Sequence, residues 1–332
     1  MTIARFDVIG IGNAIVDIIA RCDDAFLARH DAPKGHMRLV DAETIARIYK
    51  DTGPAVEVSG GSAANTLTGV ASFGGRAAFI GKVADDEFGR IFAHDIKAAG
   101  VAYETNPVAG RAPTSRSLIL VTPDGERTMN TFLGISTELD LGEVDPVMIA
   151  ASEIVYLEGY LFDQPHAKHA FWQAVAIAKE NGRQVALSLS DGFCVDRHRD
   201  EFRKLVKDGV DILLANESEI TSLYQTADFE EAARQVRAET RLAALTRSEK
   251  GSVILADGHR IEVPVDPVAQ VVDSTGAGDL YAAGFLFGVS TGRDLATAGR
   301  LGSIAAAEVI GHMGARPDVA LAALARDKGL AI

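Results

Sequence analysis

Short apolar runs rich in Val and Ile alternate along this chain with longer segments of helical period. The runs lack strict polar alternation, as in FDVIGIG (6–12) and QVALSLS (184–190). Strands that are apolar on both faces are typical of a parallel sheet covered by helices, so the pattern predicts an α/β fold. The predicted strands are 6–12, 77–83, 153–159, 184–190, 210–216 and 243–255, and the predicted helices are 63–74, 86–99, 165–181, 218–225, 229–239, 277–290 and 295–310.

Two regions interrupt this rhythm, at about 17–40 and 102–135. Both contain shorter, more alternating strands, for example TSRSLILVT, the turn PDG and then ERTMNTF. A small second sheet would account for both regions, and near the carboxyl ends of the main strands it could serve as a lid. We found no internal repeat or linker, so residues 1–332 are predicted to form a single domain with this lid.

Composition and charge exclude several classes of partner and of structural site. The 332 residues are 47% hydrophobic and carry a net charge of −13, with no basic run. Nucleic acid and anionic membranes are therefore not expected partners. The two cysteines, Cys22 and Cys194, form no CxxC pair, so neither a disulfide scaffold nor a zinc site is expected. No signal peptide or membrane-spanning run is recognisable, which predicts a soluble cytoplasmic protein.

The run DSTGAGD (273–279) precedes and begins a largely apolar helical segment, and its residues could bind an anion and accept a proton. Glycines at its turn would leave backbone N–H groups free to bind an anion such as a transferring phosphoryl group. Asp279, in the first helical turn, could accept a proton from an attacking hydroxyl. The run equally fits a helix cap in which Ser274 or Thr275 is the N-cap residue. On this motif alone the two interpretations stay open.

A second glycine-rich run, GGSAANT (60–66), precedes another predicted helix. It could bring backbone close to ligand hydroxyls, with Asn65 as a polar contact, or it could be an ordinary strand-to-helix turn. Asp17 is a candidate acceptor for two ligand hydroxyls or a solvated loop residue. GIGNAIVD (10–17) has Ile15 at the third glycine position of a dinucleotide motif, which disfavours a dehydrogenase. GRAAFIGKV (75–83) likewise departs from the P-loop pattern.

The two glycine-rich runs together resemble both signatures of the ribokinase-like, or PfkB, carbohydrate kinase family. The likeness covers GGSAANT with GKVADDEFG behind it, and DSTGAGDLYAAGFL. It implies a central sheet flanked by helices, a β lid and Mg²⁺-dependent transfer of phosphate from ATP to a primary alcohol. It also implies that Asp279 is the base and that Gly276, Ala277 and Gly278 form the anion hole.

The same resemblance implies a nucleotide and metal end of the site. Asn216 and Glu219 of NESE (216–219) match the family's polar pair near the Mg²⁺ waters and the phosphates, although they could also cap the helix 218–225. TRSEKG (246–251) matches the segment that meets the nucleotide, so Thr246 and Gly251 are expected at ATP. Asp273 and Thr275, with the turn around 311–314, resemble a monovalent cation loop, which adds potassium activation to the expectations.

Within the family the likeness is greatest to adenosine kinases, through GNAIVDI, SLSDGF, VDILLANESE and ERTMNTFLG. Arg127 falls on a phosphate-neutralising arginine. In EGYLFD (158–163) Leu161 takes the position of the base-stacking aromatic, with Tyr160 beside it, and Phe132 of the lid is a further candidate wall. The ribose hydroxyls are expected at Asp17, Gly60, Gly61 and Asn65.

The predicted function is therefore phosphorylation of the adenosine 5′-hydroxyl by ATP. The expected partners are a small nucleoside or sugar and ATP, in a monomer or a homodimer. Two alternatives stay open. One is a kinase for ribose, fructose or a related sugar. The other is a non-catalytic ligand-binding regulator on the same fold, against which the retention of Asp279 and Arg127 argues.

Overall fold

The computed structural model describes residues 4–332, in which the largest element is a nine-stranded sheet. Six of its eight strand pairings are parallel. Strands such as FDVIGI are buried along their whole length, because helices cover both faces. The predicted α/β fold with a mainly parallel sheet is confirmed. In spatial order the strands are β14 (His259–Val263), β13 (Ser252–Ala256), β12 (Leu242–Thr246), β11 (Ile212–Asn216), β10 (Gln184–Ser188), β9 (Ser152–Glu158), β1 (Phe6–Ile11), β5 (Ala77–Ile80) and β6 (Val101–Tyr103).

One edge of the large sheet is antiparallel, and here the sequence pattern was misleading. The run 243–255, predicted as one strand, forms β12 and β13, which pair antiparallel around a short 3₁₀ turn at Ser248–Lys250. Gly251 ends that turn with φ of +82°. A Cβ atom there would lie 2.2 Å from the Val263 carbonyl oxygen, so a glycine is needed for the chain to reverse.

The second, smaller sheet has five strands and mixed pairing. The predicted hairpin is confirmed, since β7 (Ser115–Val121) and β8 (Arg127–Phe132) pair antiparallel around the turn at 123–125. Two boundaries differ from the prediction. The segment 55–60 belongs to this sheet, whereas 101–103 pairs with β5 in the large sheet. In spatial order the strands are β3 (Met37–Leu39), β8 (Arg127–Phe132), β7 (Ser115–Val121), β2 (Ile15–Arg21) and β4 (Ala55–Gly60).

Twelve α-helices lie within residues 4–332, and all seven predicted helices are among them. The other five are short or polar and were not predicted; they are the first, second, fifth, seventh and twelfth in chain order. None of the helices in the described range is both long and apolar enough to cross a lipid bilayer. The helices are α1 (Asp24–Arg29), α2 (Ala42–Asp51), α3 (Ser62–Ser72), α4 (Glu87–Ala98), α5 (Pro146–Ala150), α6 (Pro165–Glu180), α7 (Gly192–Gly209), α8 (Glu217–Leu223), α9 (Phe229–Glu239), α10 (Ala277–Ser290), α11 (Leu295–Val309) and α12 (Leu321–Asp327).

The close packing of α3 against α10 brings the two glycine-rich runs together. Gly69 of α3 allows this approach, because a Cβ atom on it would lie 2.6 Å from the Cβ of Ala283 on α10. Both helices pack on the same face of the large sheet, in one continuous apolar core. The amino-terminal ends of α3 and α10 therefore meet above the carboxyl ends of the central strands.

Candidate active site

A cavity of about 710 Å³ lies between the carboxyl ends of the large-sheet strands and the small sheet. Such a crevice is where open α/β sheets bind ligands. The residues that end β9, β10, β11 and β12 all line it, as do Met129 and Thr131 of the small sheet. Thirteen predicted site residues line this cavity: Asp17, Gly61, Asn65, Tyr160, Leu161, Asn216, Glu219, Thr246, Thr275, Gly276, Ala277, Gly278 and Asp279.

Asp279 lies in the first turn of α10 and makes its contacts across the cavity floor. Its carboxylate accepts hydrogen bonds from Ser62 Oγ at 2.6 Å and from Asn65 Nδ2 at 3.1 Å. Desolvation raises the pKa of Asp279 above its usual range, and these two donors oppose the rise. The sequence suggested Asn65 as a ligand contact, but Ser62 was not foreseen.

The amino terminus of α10 has no side-chain cap, which separates the two interpretations of DSTGAGD. Its N-cap residue is Gly276, with φ of +79°, and neither Ser274 nor Thr275 bonds to the first helical N–H groups. Within residues 4–332, the N–H of Gly278 makes no hydrogen bond to the protein, and nothing lies within 4 Å of where its Cβ would be. The N–H of Ala277 donates to the Ser274 carbonyl at 3.3 Å. Free donors therefore face the cavity, although Ala277 is less available than predicted.

The two glycines of GGSAANT have different tasks. Gly61 is the N-cap of α3 with φ of +101°, and a Cβ atom on it would lie 2.2 Å from the Asn13 carbonyl oxygen. Gly60 does not line the cavity. It makes room for Asp17, whose Oδ2 would lie 2.3 Å from a Cβ at Gly60. The glycine pair thus lets the Asp17 carboxylate and the Asn13 backbone pack against the start of α3.

Asp17 is a carboxylate that faces the cavity without a protein donor. Within residues 4–332 no group donates a hydrogen bond to it. Desolvation raises the pKa of Asp17 to about 6, although the positive charges of Arg316 and Arg127 oppose that rise. A half-buried carboxylate with free acceptor sites is suited to ligand hydroxyls.

Glu158, at the end of β9, is a buried cavity residue that the sequence did not single out. It accepts hydrogen bonds from Asn13 Nδ2 at 2.6 Å and from the N–H of Ala63 at 2.9 Å. Desolvation raises the pKa of Glu158 to about 7, and these donors oppose the rise. An acidic residue at the end of a central strand was the available signal, since charges are rarely buried without a reason.

Asn216 and Glu219 form a reciprocal capping box at the start of α8. Asn216 Oδ1 accepts from the N–H of Glu219, and Glu219 Oε2 accepts from the N–H of Asn216, each at 2.9 Å. The predicted capping role is thus present, and it fixes the Glu219 carboxylate at the cavity wall. Desolvation raises the pKa of Glu219 to about 7, because its side chain is only 4% exposed.

Arg127 and Asp273 lie outside the cavity lining and form an ion pair between the small sheet and the segment before α10. Asp273 also accepts hydrogen bonds from Thr275 Oγ1 at 2.7 Å and from the N–H of Gly314 at 3.0 Å. Donors therefore surround the carboxylate that was expected to hold potassium. No group of three or more His, Cys, Asp or Glu side chains arranged for a metal occurs within residues 4–332.

Two further predicted residues do not reach the cavity. Phe132 points to the opposite face of β8 from Met129 and Thr131, because side chains alternate along a strand. It packs near the Arg116 guanidinium, so its placement as a cavity wall was wrong. Gly251 ends the turn between β12 and β13 and does not line the cavity, so its place at ATP stays a prediction. Leu161 and Tyr160 both line the cavity, whereas the neighbouring Phe162 stacks on Phe202 in the core.

A carboxylate beside free N–H groups at a helix start, in a crevice at the ends of parallel strands, fits an enzyme that transfers a phosphoryl group. Residues 49–321 match the model of the pfkB family carbohydrate kinases. The chain therefore belongs to the pfkB family, whose members are ATP-dependent phosphotransferases.

Three relatives illustrate the range of names within the family. The crystal structure of adenosine kinase from Sinorhizobium meliloti is 52% identical, with a TM-score of 0.90, over 98% of this chain and 100% of that one. A probable sugar kinase from Rhizobium etli CFN 42 is 50% identical, also with a TM-score of 0.90, over 98% and 99% of the two chains. An uncharacterized sugar kinase from Archaeoglobus fulgidus is 31% identical over 75% of this chain and 96% of its own length.

Proposed function

We propose that this chain is an adenosine kinase, which transfers the γ-phosphate of ATP to the 5′-hydroxyl of adenosine to give ADP and AMP. The observation that carries the proposal is the Asp279 carboxylate, held by Ser62 and Asn65 beside the free N–H groups that begin α10. A hydroxyl can lose its proton and a phosphoryl group can be neutralised at this one place.

Asp279 acts as the general base in this account. Its two hydrogen bonds hold the carboxylate in one orientation, and desolvation raises its pKa toward the range in which a carboxylate takes up a proton. Because phosphoryl transfer has a loose transition state, the proton is taken late, as the 5′-oxygen bonds to phosphorus. The proton leaves the hydroxyl and stays on Asp279 until the product departs.

The N–H groups of Gly276 and Gly278 serve as the anion hole. They lie at the positive end of the α10 dipole, and the open space at Gly278 lets phosphate oxygens approach. Arg127 neutralises phosphate in this proposal by leaving its pair with Asp273. Its Nε and Nη2 atoms are buried without a hydrogen-bond partner, which supports a second orientation for this side chain.

The residues at the nucleotide end fit a magnesium ion bound through water. Glu219 is buried and forms no ion pair with a Lys or Arg within residues 4–332, so a nearby cation would favour its charged form. Mg²⁺ usually keeps several waters and binds through one or two carboxylates and the substrate phosphates. When bound, it would offset negative charge on the phosphates. Thr246 and Asn216, adjacent across β11 and β12, are proposed to border the nucleotide.

The acceptor end supports a nucleoside. Asp17, Gly61 and Asn65 all line the cavity and are proposed to bind the ribose hydroxyls. The apolar side chains of Tyr160 and Leu161, with Met37 and Leu39 of β3, give the cavity a surface on which a purine base can pack. A free sugar would leave that surface uncovered.

A sugar kinase is the second candidate, for two reasons. The half-identical relative from Rhizobium etli carries a sugar kinase name. In addition, Leu161 supplies no aromatic ring at the expected stacking position. Under this candidate Asp17 and Asn65 would bind hydroxyls of ribose or fructose with the same chemistry.

Release of ADP with Mg-ATP, measured across adenosine, inosine, guanosine, ribose and fructose, separates the two candidates. We expect the highest kcat/KM with adenosine. Inosine and guanosine control for the base, because both keep the same ribose. A higher kcat/KM with a free sugar than with any nucleoside would refute the adenosine kinase assignment and leave the phosphotransfer chemistry intact.

A further inference from the structure

Arg316 is a largely buried cation that contacts Asn65, a residue of the cavity lining, and no motif pointed to it. It lies between α11 and α12, and its side chain is 17% exposed. Its guanidinium donates to Ser59 Oγ at 2.7 Å, to Asp95 Oδ2 at 3.4 Å and to Asn65 Oδ1 at 3.5 Å. One side chain thus connects β4, α4 and α3 behind the wall that carries the acceptor contacts.

The contact with Asn65 favours one orientation of that amide. A guanidinium has donors and no acceptor, so it can face only the carbonyl oxygen of Asn65. The Asn65 NH₂ group is therefore directed at Asp279, to which it donates at 3.1 Å. After Asp279 has taken up a proton, a free amide could turn and accept from the new O–H. Arg316 opposes that turn, because Asn65 Oδ1 would leave its donor.

Arg316 also lies near Asp17, because its guanidinium bonds to Ser59 and the Asp17 carboxylate packs against the next residue, Gly60. The charged groups acting on Asp17 are Arg316 from the segment after α11, Arg127 from β8 and Asp279 from α10. The two arginines favour the carboxylate form of Asp17, and Asp279 disfavours it. Desolvation lowers the pKa of Arg316, while Asp95 and Asp17 oppose that fall.

We propose that Arg316 is a positioning residue of the acceptor site, which holds Asn65 with its amide nitrogen toward Asp279 and places a positive charge beside Asp17. This inference rests on the proposed phosphotransfer function of the same cavity, whether the acceptor is a nucleoside or a sugar. Arg316 touches neither reacting atom and acts through Asn65 and Asp17.

Two substitutions separate its contacts from its charge. Arg316→Lys keeps the charge but loses the planar fork, so we expect kcat to fall about tenfold while the acceptor KM stays within about twofold. Arg316→Gln loses both the positive charge and the planar fork of donors. We expect a similar fall in kcat, a rise of about tenfold in acceptor KM, and an acidic limb of the kcat/KM profile shifted to higher pH. The control is Arg90→Gln, which removes an exposed arginine from α4 and should match the wild type.

These kinetics use the acceptor that the wild type phosphorylates best, so failure of the adenosine assignment leaves the test intact. A second measurement needs no turnover. In protein labelled at asparagine, the Asn65 side-chain NH₂ resonances should shift as Asp279 titrates, and this response should weaken in Arg316→Gln. Thermal melts confirm that each variant is folded. Unchanged kcat, KM and pH limb in both variants, or an unchanged Asn65 response, would overturn the proposal.

Discussion

Replacing Asp279 with asparagine separates a catalytic base from a structural residue. An asparagine can keep both contacts, because its carbonyl oxygen can face Asn65 Nδ2 and its NH₂ group can face Ser62 Oγ, which also accepts. The substitution therefore removes the basic oxygen and little else. We expect Asp279→Asn to fold, bind nucleoside and lose turnover.

The expected loss of kcat follows from the role of Asp279 as a general base. A positioned general base contributes about 10²- to 10⁴-fold, so kcat should fall by at least about 100-fold, or about 3 kcal/mol in the barrier. The stability of the variant, by contrast, should not fall along with its kcat. The folded-state pKa of Asp279 is raised, so stability is lost as pH rises through the region between the unfolded and folded pKa. At neutral pH a neutral asparagine avoids that loss, and Tm should stay level or rise.

The assay pairs single-turnover kinetics with thermal melts at pH 7.5, and a cap on the neighbouring helix is the control. Asp294 caps α11 through the N–H and Oγ1 of Thr297, at 2.9 and 2.7 Å. Asp294→Ala should lower stability by about 1 kcal/mol with kcat unchanged. If Asp279→Asn instead lowered Tm like Asp294→Ala and kept more than about a tenth of wild-type kcat, the base assignment would be wrong.

Three further predictions concern the acceptor end and the nucleotide end. The acceptor kcat/KM should fall below pH about 6, where Asp17 gains a proton and can no longer accept from two hydroxyls, and a profile that stays flat to pH 5 would contradict this role. Gly61→Ala should lower Tm sharply because its Cβ would meet the Asn13 carbonyl oxygen, whereas Gly110→Ala, also at positive φ but with open space around it, should cost far less. Asn216→Ala should lower stability by about 1 kcal/mol and raise the KM for ATP, and an unchanged KM would argue against Asn216 at the nucleotide end.

Local sequence patterns predicted the class of fold and which glycine-rich runs line the cavity, and each pattern has a physical reason. Buried parallel strands are apolar throughout, and a glycine-rich turn before an apolar helix marks a free helix start. Both signals are local. The contact between Ser62 and Asp279, 217 residues apart, depends on how closely α3 and α10 pack, which neither run reveals alone.

Each wrong or missing prediction also has a specific physical cause. The alternation in ERTMNTF indicated two faces, but nothing in the sequence told which face meets the cavity, so Phe132 was placed on the wrong side. The helix α7 (Gly192–Gly209) was missed because its sequence is mostly polar, with a break in helical geometry at His198. Arg316 belongs to no motif, and only the folded chain places its guanidinium beside Asn65 and Asp17.

One cavity is proposed to join a base, an anion hole and a nucleoside acceptor site. The most direct test is a competition in one tube, with Mg-ATP and equal concentrations of adenosine, ribose and fructose, followed by ³¹P NMR of the products. We expect AMP as the dominant new phosphomonoester, with its phosphorus coupled to the 5′-methylene protons. A sugar phosphate formed while adenosine remains intact would contradict it.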